Sequence, residues 1–165
     1  MSTVTFQGNS VSLSGSFAEK GTQAPNFTLC GADLADITLQ DFAGKNVILN
    51  IFPSIDTPVC ATSVRTFNIE AASKENTVVL CISADLPFAT GRFCEVEGIK
   101  DVKTASFFRA PTFTEDYGVN INEGALAGLA SRAVVCLNTE GLVVHSELVS
   151  EITDEPDYAA ALAAL

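Results

Sequence analysis

The spacing of hydrophobic positions changes several times along the chain, and each change marks an element. Between Thr3 and Ser14 apolar residues alternate as Val4/Phe6 and Val11/Leu13 around Gly8-Asn9, which predicts a β-hairpin. Phe27–Leu29, after Pro25, and Ile37–Leu39 read as two short strands. Asn46–Phe52 is an almost unbroken apolar run closed by Pro53, the composition a strand needs when both its faces are buried. From Pro58 the period becomes helical. Val64, Phe67 and Ala71 recur at helix spacing to about Ser73, and Lys74-Glu75-Asn76 closes the segment. Thr77–Ser83 is a second buried strand. Asp85 and Pro87 then open a helix that carries Phe88, Arg92 and Phe93 and stops at Gly98. Val102–Ser106 is a third strand, and Arg132–Leu137 and Leu142–Val149 flank the turn signal Asn138-Thr139-Glu140-Gly141. Asp154–Leu165 places acidic residues around Pro156 ahead of Tyr158 and an Ala/Leu stretch, which predicts a closing helix.

After a β-rich start, the order β-α-β-α-β-β-α predicts an α/β protein with a mixed central sheet flanked by helices. A thioredoxin-like fold with an N-terminal β-hairpin extension is the simplest match. No linker, repeat or low-complexity tract interrupts the 165 residues, so residues 1–165 read as one domain.

Charge narrows the partners. Twenty Asp+Glu against nine Lys+Arg give a formal net charge of −11, which repels phosphate backbones and anionic lipids. The basic residues are scattered singly, so neither nucleic acid nor a membrane surface is an expected partner. The apolar runs are far shorter than the ~20 residues that span a bilayer. The start, MSTVTFQGNSVSLSG, has neither a cationic region nor a continuous apolar core, so no signal peptide is expected. Five cysteines, at 30, 60, 81, 94 and 136, cannot all pair within one chain, and no C-x-x-C occurs. With a single histidine there is no zinc-finger spacing, so no metal is expected. A reducing cytoplasm with one or two special thiols fits this usage.

The chemistry concentrates in Pro53-Ser54-Ile55-Asp56-Thr57-Pro58-Val59-Cys60. Thr57 suits a helix N-cap and Pro58 the first helical position, where a missing N–H costs nothing. Cys60 is then the third helical residue, beside free backbone N–H groups and the positive end of the helix dipole. Thiols so placed ionise near neutral pH, and the thiolate is the nucleophile. The site follows the C-terminal end of a buried strand, where open α/β sheets place their chemistry. Position alone also fits a small hydrophobe packing the start of a helix.

Pro53, Thr57 and Cys60, as Pro-x-x-x-Thr-x-x-Cys, resemble the peroxidatic-cysteine motif of the peroxiredoxins. The longer strings NIFPSIDTPVC, LCISADLPFATGRFC and EITDEPDYAAAL are similar to one subfamily, the bacterial thiol peroxidases of the atypical two-cysteine type. The likeness runs over essentially the whole chain. It implies a thioredoxin-like fold, a homodimer, and reduction of hydroperoxides to water or alcohol with electrons from thioredoxin and no cofactor. It implies that Cys60 is the peroxidatic cysteine and Cys94 the resolving one. Thr57 would hold the thiolate and peroxide through its hydroxyl, and Pro53 would shield the thiolate from water. Arg132, in Gly128-Leu129-Ala130-Ser131-Arg132-Ala133, matches the family's active-site arginine. A guanidinium there stays charged and serves both a thiolate and a peroxide oxygen, although the position alone also suits a solvated strand start. Arg65 is a second candidate. Since Cys60 and Cys94 lie on separate predicted helices, the first turn of at least one is expected to unwind on oxidation.

The remaining cysteines read as structural. Cys81 and Cys136 fall inside apolar strands, whereas the exposure of Cys30 is open. His145 reads as a partly exposed strand residue. A cysteine hydrolase would need a histidine beside Cys60, and a thioredoxin-type reductase would need C-x-x-C. A peroxide-responsive redox sensor would use the same Cys60–Cys94 switch without efficient turnover.

Overall fold

The computed structural model describes residues 2–165. Its strands are β1 (Ser2–Phe6), β2 (Asn9–Ser14), β3 (Thr28–Gly31), β4 (Asp36–Thr38), β5 (Asn46–Ile51), β6 (Thr77–Ser83), β7 (Lys103–Ser106), β8 (Asn120–Ile121), β9 (Ala133–Leu137) and β10 (Val143–Leu148). The helices are α1 (Pro58–Ala71), α2 (Pro87–Glu97), α3 (Phe113–Asp116) and α4 (Tyr158–Ala163), with a 3₁₀ turn at Leu39–Phe42.

The main sheet runs in the order β10-β9-β5-β6-β7-β3-β4. Its centre, β5-β6-β7, is parallel, and antiparallel strands flank it on both sides. Parallel neighbours need crossovers, and α1 and α2 supply them. The apolar run in β5 is explained by its two faces. Val47, Leu49 and Ile51 join Phe27, Phe42, Phe107, Phe113 and Tyr117 on one side. Ile48, with Phe52 just beyond the strand, meets Val64 and Phe67 of α1 and Ala161 of α4 on the other. Each fully buried large apolar side chain here contributes roughly 1.5–3 kcal/mol.

β1, β2 and β8 form a second, small sheet. The β1–β2 hairpin is present, but its turn is Gln7-Gly8, because Phe6 pairs with Asn9. Both turn residues have positive φ, 52° and 81°, as the tight turn between twisted strands requires. The β9–β10 hairpin closes at the expected residues, where the Asn138 carboxamide oxygen accepts from the N–H groups of Glu140 and Leu142. The closing helix is shorter than its sequence pattern. Residues 151–154 form a turn, and the Asp157 carboxylate caps α4 by accepting from Ala160 N–H at 3.0 Å. The 3₁₀ turn, α3 and β8 carry no periodicity long enough to read from sequence.

That turn is tied to the hairpin. The Glu151 carboxylate accepts from the N–H groups of Thr153 (2.9 Å), Gly8 (2.8 Å) and Gln7 (3.2 Å), and from the hydroxyls of Thr153 (2.8 Å) and Thr5 (3.0 Å). Backbone donation from Thr153, then from Gly8, lowers its pKa from the ordinary 4.5 to about 2. A lowered carboxylate stabilises the fold above its unfolded pKa, and that stability is lost as pH falls through the folded value. We expect an NMR titration of the Glu151 carboxyl to have its midpoint near 2, with the hairpin released from the turn only there. A midpoint at 4.5 would contradict the clamp.

Candidate active site

The loop after β5 is set by a side chain that the motif does not contain. Asp85, just beyond β6, accepts from Ile55 N–H at 2.7 Å and from the hydroxyls of Ser54 at 2.8 Å and Ser83 at 2.7 Å. This pins the approach to α1 against the neighbouring strand. Thr57 occupies the N-cap with extended backbone and Pro58 opens the helix, as the sequence implies. The Thr57 hydroxyl does not cap, however: it donates to the Ser54 carbonyl at 3.0 Å. The first bond of the helix runs from Ala61 N–H to the Thr57 carbonyl. The Val59 and Cys60 amides therefore keep the free donors of a helix start. Pro53 is buried at the head of the loop, and Cys60 is fully buried in the first turn. Beneath it, Ser63 Oγ donates to the Cys60 carbonyl at 2.8 Å, and Asn50 Nδ2 donates to Ser63 at 3.2 Å.

Arg132 precedes β9, the strand next to β5, and is 1% exposed. Its Nη2 donates to Cys60 Sγ at 3.3 Å and its Nε to the Ile152 carbonyl at 2.9 Å. The solvated reading of Arg132 is thereby excluded. A buried cation left without a partner costs about 3–5 kcal/mol, and the side chain this guanidinium faces is that of Cys60. Its Nη1 has no acceptor among the described residues, so a donor stands free on the guanidinium that meets the sulfur. Arg65 is turned elsewhere. It pairs with Glu97 at 2.8 Å and lies over the Phe93 ring at 5.6 Å.

Those contacts also locate Cys94. Arg65 is level with Phe93 and Glu97, and Cys60 lies five residues, about 7.5 Å along the axis, nearer the start of α1. Phe93 faces α1, so Cys94, the next residue, is turned about 100° away from it. Cys94 lines a cavity of about 450 Å³ with Ile37, Phe42, Ile99 and Val102 instead. It is half-buried, and burial raises its pKa. Its carbonyl accepts from the N–H groups of Gly98 and Ile99, a C-terminal closure that uses Gly98 at φ 68°. The structure thus joins Cys60 and Arg132, places Cys94 on a cavity that Cys60 does not line, and leaves all five cysteines free.

The chain matches the Redoxin family over residues 19–162. It is 58% identical over 156 residues to a thiol peroxidase of Vibrio cholerae, across 94% of this chain and 95% of that one. It is 53% identical over 165 residues to a thiol peroxidase of Mycobacterium bovis, across 100% and 99% of the two chains. The chain belongs to the thiol peroxidase subfamily of the peroxiredoxins.

A peroxiredoxin-like protein from Aquifex aeolicus superposes with a TM-score of 0.92 at 40% identity, over 98% of this chain and 94% of that one. A thiol peroxidase from Chromobacterium violaceum gives 0.89 at 24% identity, over 96% and 91%, a likeness of fold. The fold is thioredoxin-like, and the protein is a peroxide-reducing enzyme of the peroxiredoxin type.

In this peroxiredoxin Cys30, Cys81 and Cys136 are buried, which answers the open question at Cys30. Burial pushes the thiols of Cys81 and Cys136 up to about 12, with an Asn50 hydrogen bond partly opposing the rise at Cys81. His145 sits on β10 opposite Cys136, half-buried as expected. Leu126 and Leu129 pack into the hairpin cluster with Val4, Leu13 and Ile152. Sequence reading missed Asp85 and the Asn50–Ser63 pair as supports of the site. Asp85 was legible only as a helix opener, since nothing local in Ser83-Ala84-Asp85 announces a bond to Ile55, thirty residues earlier. Among the described residues no helix is long and apolar enough to cross a membrane.

Proposed function

We propose that this peroxiredoxin reduces hydrogen peroxide and organic hydroperoxides through Cys60, resolves the product with Cys94, and is recycled by thioredoxin. The observation that carries the reading is the buried Arg132 Nη2–Cys60 Sγ contact at 3.3 Å. The Cys60 thiolate attacks the terminal peroxide oxygen, the O–O bond breaks, and the departing oxygen takes a proton to leave as alcohol or water. The free Nη1 donor of Arg132 offers the peroxide oxygen a hydrogen bond, and the Thr57 hydroxyl, whose own proton goes to the Ser54 carbonyl, holds the hydroperoxide by accepting from its O–H. Pro53 keeps water from the thiolate. Fixed donors aimed at developing negative charge in a water-excluded site each contribute roughly 10²–10³ in rate.

The Cys94 thiol then displaces water from the Cys60 sulfenic acid, and a disulfide forms. A disulfide needs Cα atoms within ~7 Å. Cys94 lies in the last turn of α2, and its movement toward Cys60 would open the carbonyl closure at Gly98. Thioredoxin reduces the disulfide by exchange. A homodimer and a cytoplasmic location complete the reading, in keeping with the subfamily likeness and with cysteines left unpaired; residues 1–165 act as one domain.

Leu86 and Phe88, 50% and 70% exposed at the start of α2, stand beside the Asp85-pinned loop that carries Ile55. They offer an apolar wall to an alkyl group. With thioredoxin and its reductase present, we expect continuous consumption of peroxide and a several-fold higher kcat/KM for an alkyl hydroperoxide than for hydrogen peroxide, at ~0.8 kcal/mol per buried methylene. Consumption that stops after one equivalent would instead identify a sensor, and equal kcat/KM values would remove the apolar wall.

A further inference from the structure

The Ile152 carbonyl that holds Arg132 belongs to the same planar peptide unit as the Thr153 N–H. In a trans peptide these two groups point in opposite directions. The Thr153 N–H donates to Glu151 Oε2 at 2.9 Å, and the Ile152 carbonyl accepts from Arg132 Nε at 2.9 Å. The carboxylate and the guanidinium thus grip opposite ends of one peptide plane.

The carboxylate is itself fixed to the N-terminal hairpin. Gly8 N–H and Thr5 Oγ1 bind Oε1, and Gln7 N–H binds Oε2. Thr5 N–H donates to the Ser150 carbonyl and Ile152 N–H to the Thr5 carbonyl, both at 2.8 Å. The Ile152 side chain is 2% exposed among Val4, Val11, Leu13 and Ile121. Rotation of the 152–153 peptide would break bonds on both faces at once.

We propose that Glu151 is a positioning residue for the peroxidase site, setting the Ile152 carbonyl that aims Arg132 at Cys60. The hairpin then has a catalytic purpose, as the fixed body to which the arginine is referenced through residues 151–153. This inference rests on the Cys60–Arg132 reading above, and its consequence is specific. Glu151 acts on peroxide chemistry only through Arg132, so its contribution vanishes when the guanidinium is gone.

A double-mutant cycle tests this. The first-turnover rate of Cys60 with hydrogen peroxide is measured by stopped flow without reductant, in the original protein, Glu151→Ala, Arg132→Met and the double variant. We expect Glu151→Ala to slow the original protein about tenfold, the loss of roughly one positioned interaction, and to leave the Arg132→Met rate unchanged. Thermal midpoints should fall equally in both backgrounds. Thr5→Val, which spares the Thr153 bond, should slow the reaction less. Glu151→Gln carries the same comparison should Glu151→Ala not fold. Equal slowing in both backgrounds, or no slowing by Glu151→Ala while Arg132→Met is slow, overturns the positioning role alone. An unchanged rate in Arg132→Met overturns the Cys60–Arg132 reading and this inference with it.

Discussion

Cys60→Ser is expected to abolish peroxide consumption, and Cys94→Ser to leave one turnover intact. The first result follows from the proposal that oxygen transfer begins at the Cys60 sulfur. A serine hydroxyl is a far weaker nucleophile than a thiol and is not ionised near neutral pH, so the peroxide loses the proposed nucleophile. Cys81, the sulfur beneath α1, cannot replace it, because burial holds that thiol at about 12. Cys94→Ser retains the whole Cys60–Arg132 pair and should consume one equivalent of peroxide, then stop, with Cys60 left as sulfenic acid. Rapid mixing followed by thioredoxin-linked turnover separates the two variants. Full turnover in Cys94→Ser would show that another sulfur resolves the intermediate.

Arg132→Met is expected to lower the rate of Cys60 with peroxide by roughly 10²–10³, the effect of removing one fixed donor from a transition state. Stability should change little. A buried charge replaced by an apolar side chain of similar length is often neutral or stabilising, because its desolvation is relieved. Arg132→Lys should recover only part of the rate, since an ammonium is a point charge and cannot hold the Ile152 carbonyl, the sulfur and a peroxide oxygen together. Stopped-flow rates beside thermal midpoints measure both quantities. A rate lost in proportion to stability would reduce Arg132 to a structural residue.

Much of this was legible in the chain because the strong signals are local. The buried strands β5 and β6, the start of α1 at Pro58 and the stop of α2 at Gly98 each follow from a run, a cap or a glycine within a few residues. The position of Cys60 in the first helical turn was readable for the same reason. What sequence could not supply is nonlocal. Arg132 reaches Cys60 across 72 positions, and Thr5 reaches Glu151 across 146. The hydroxyl of Thr57 shows the limit of local rules. Its place at the N-cap is right, but the Ser54 carbonyl takes its proton. Arg65 shows the reverse: near Cys60 in sequence, it is paired with Glu97 on the neighbouring helix.

The most direct test of the account is the number and identity of thiols that remain after one equivalent of peroxide. The reduced, denatured chain should titrate five thiols, one for each cysteine. After oxidation and non-reducing denaturation the account predicts three, with the protein still a monomer on the gel and Cys60 and Cys94 recovered in one disulfide-linked peptide pair. The closed loop should also make the oxidised chain migrate slightly faster. A covalent dimer as the main product, or a linked peptide that contains Cys30, Cys81 or Cys136, would contradict it.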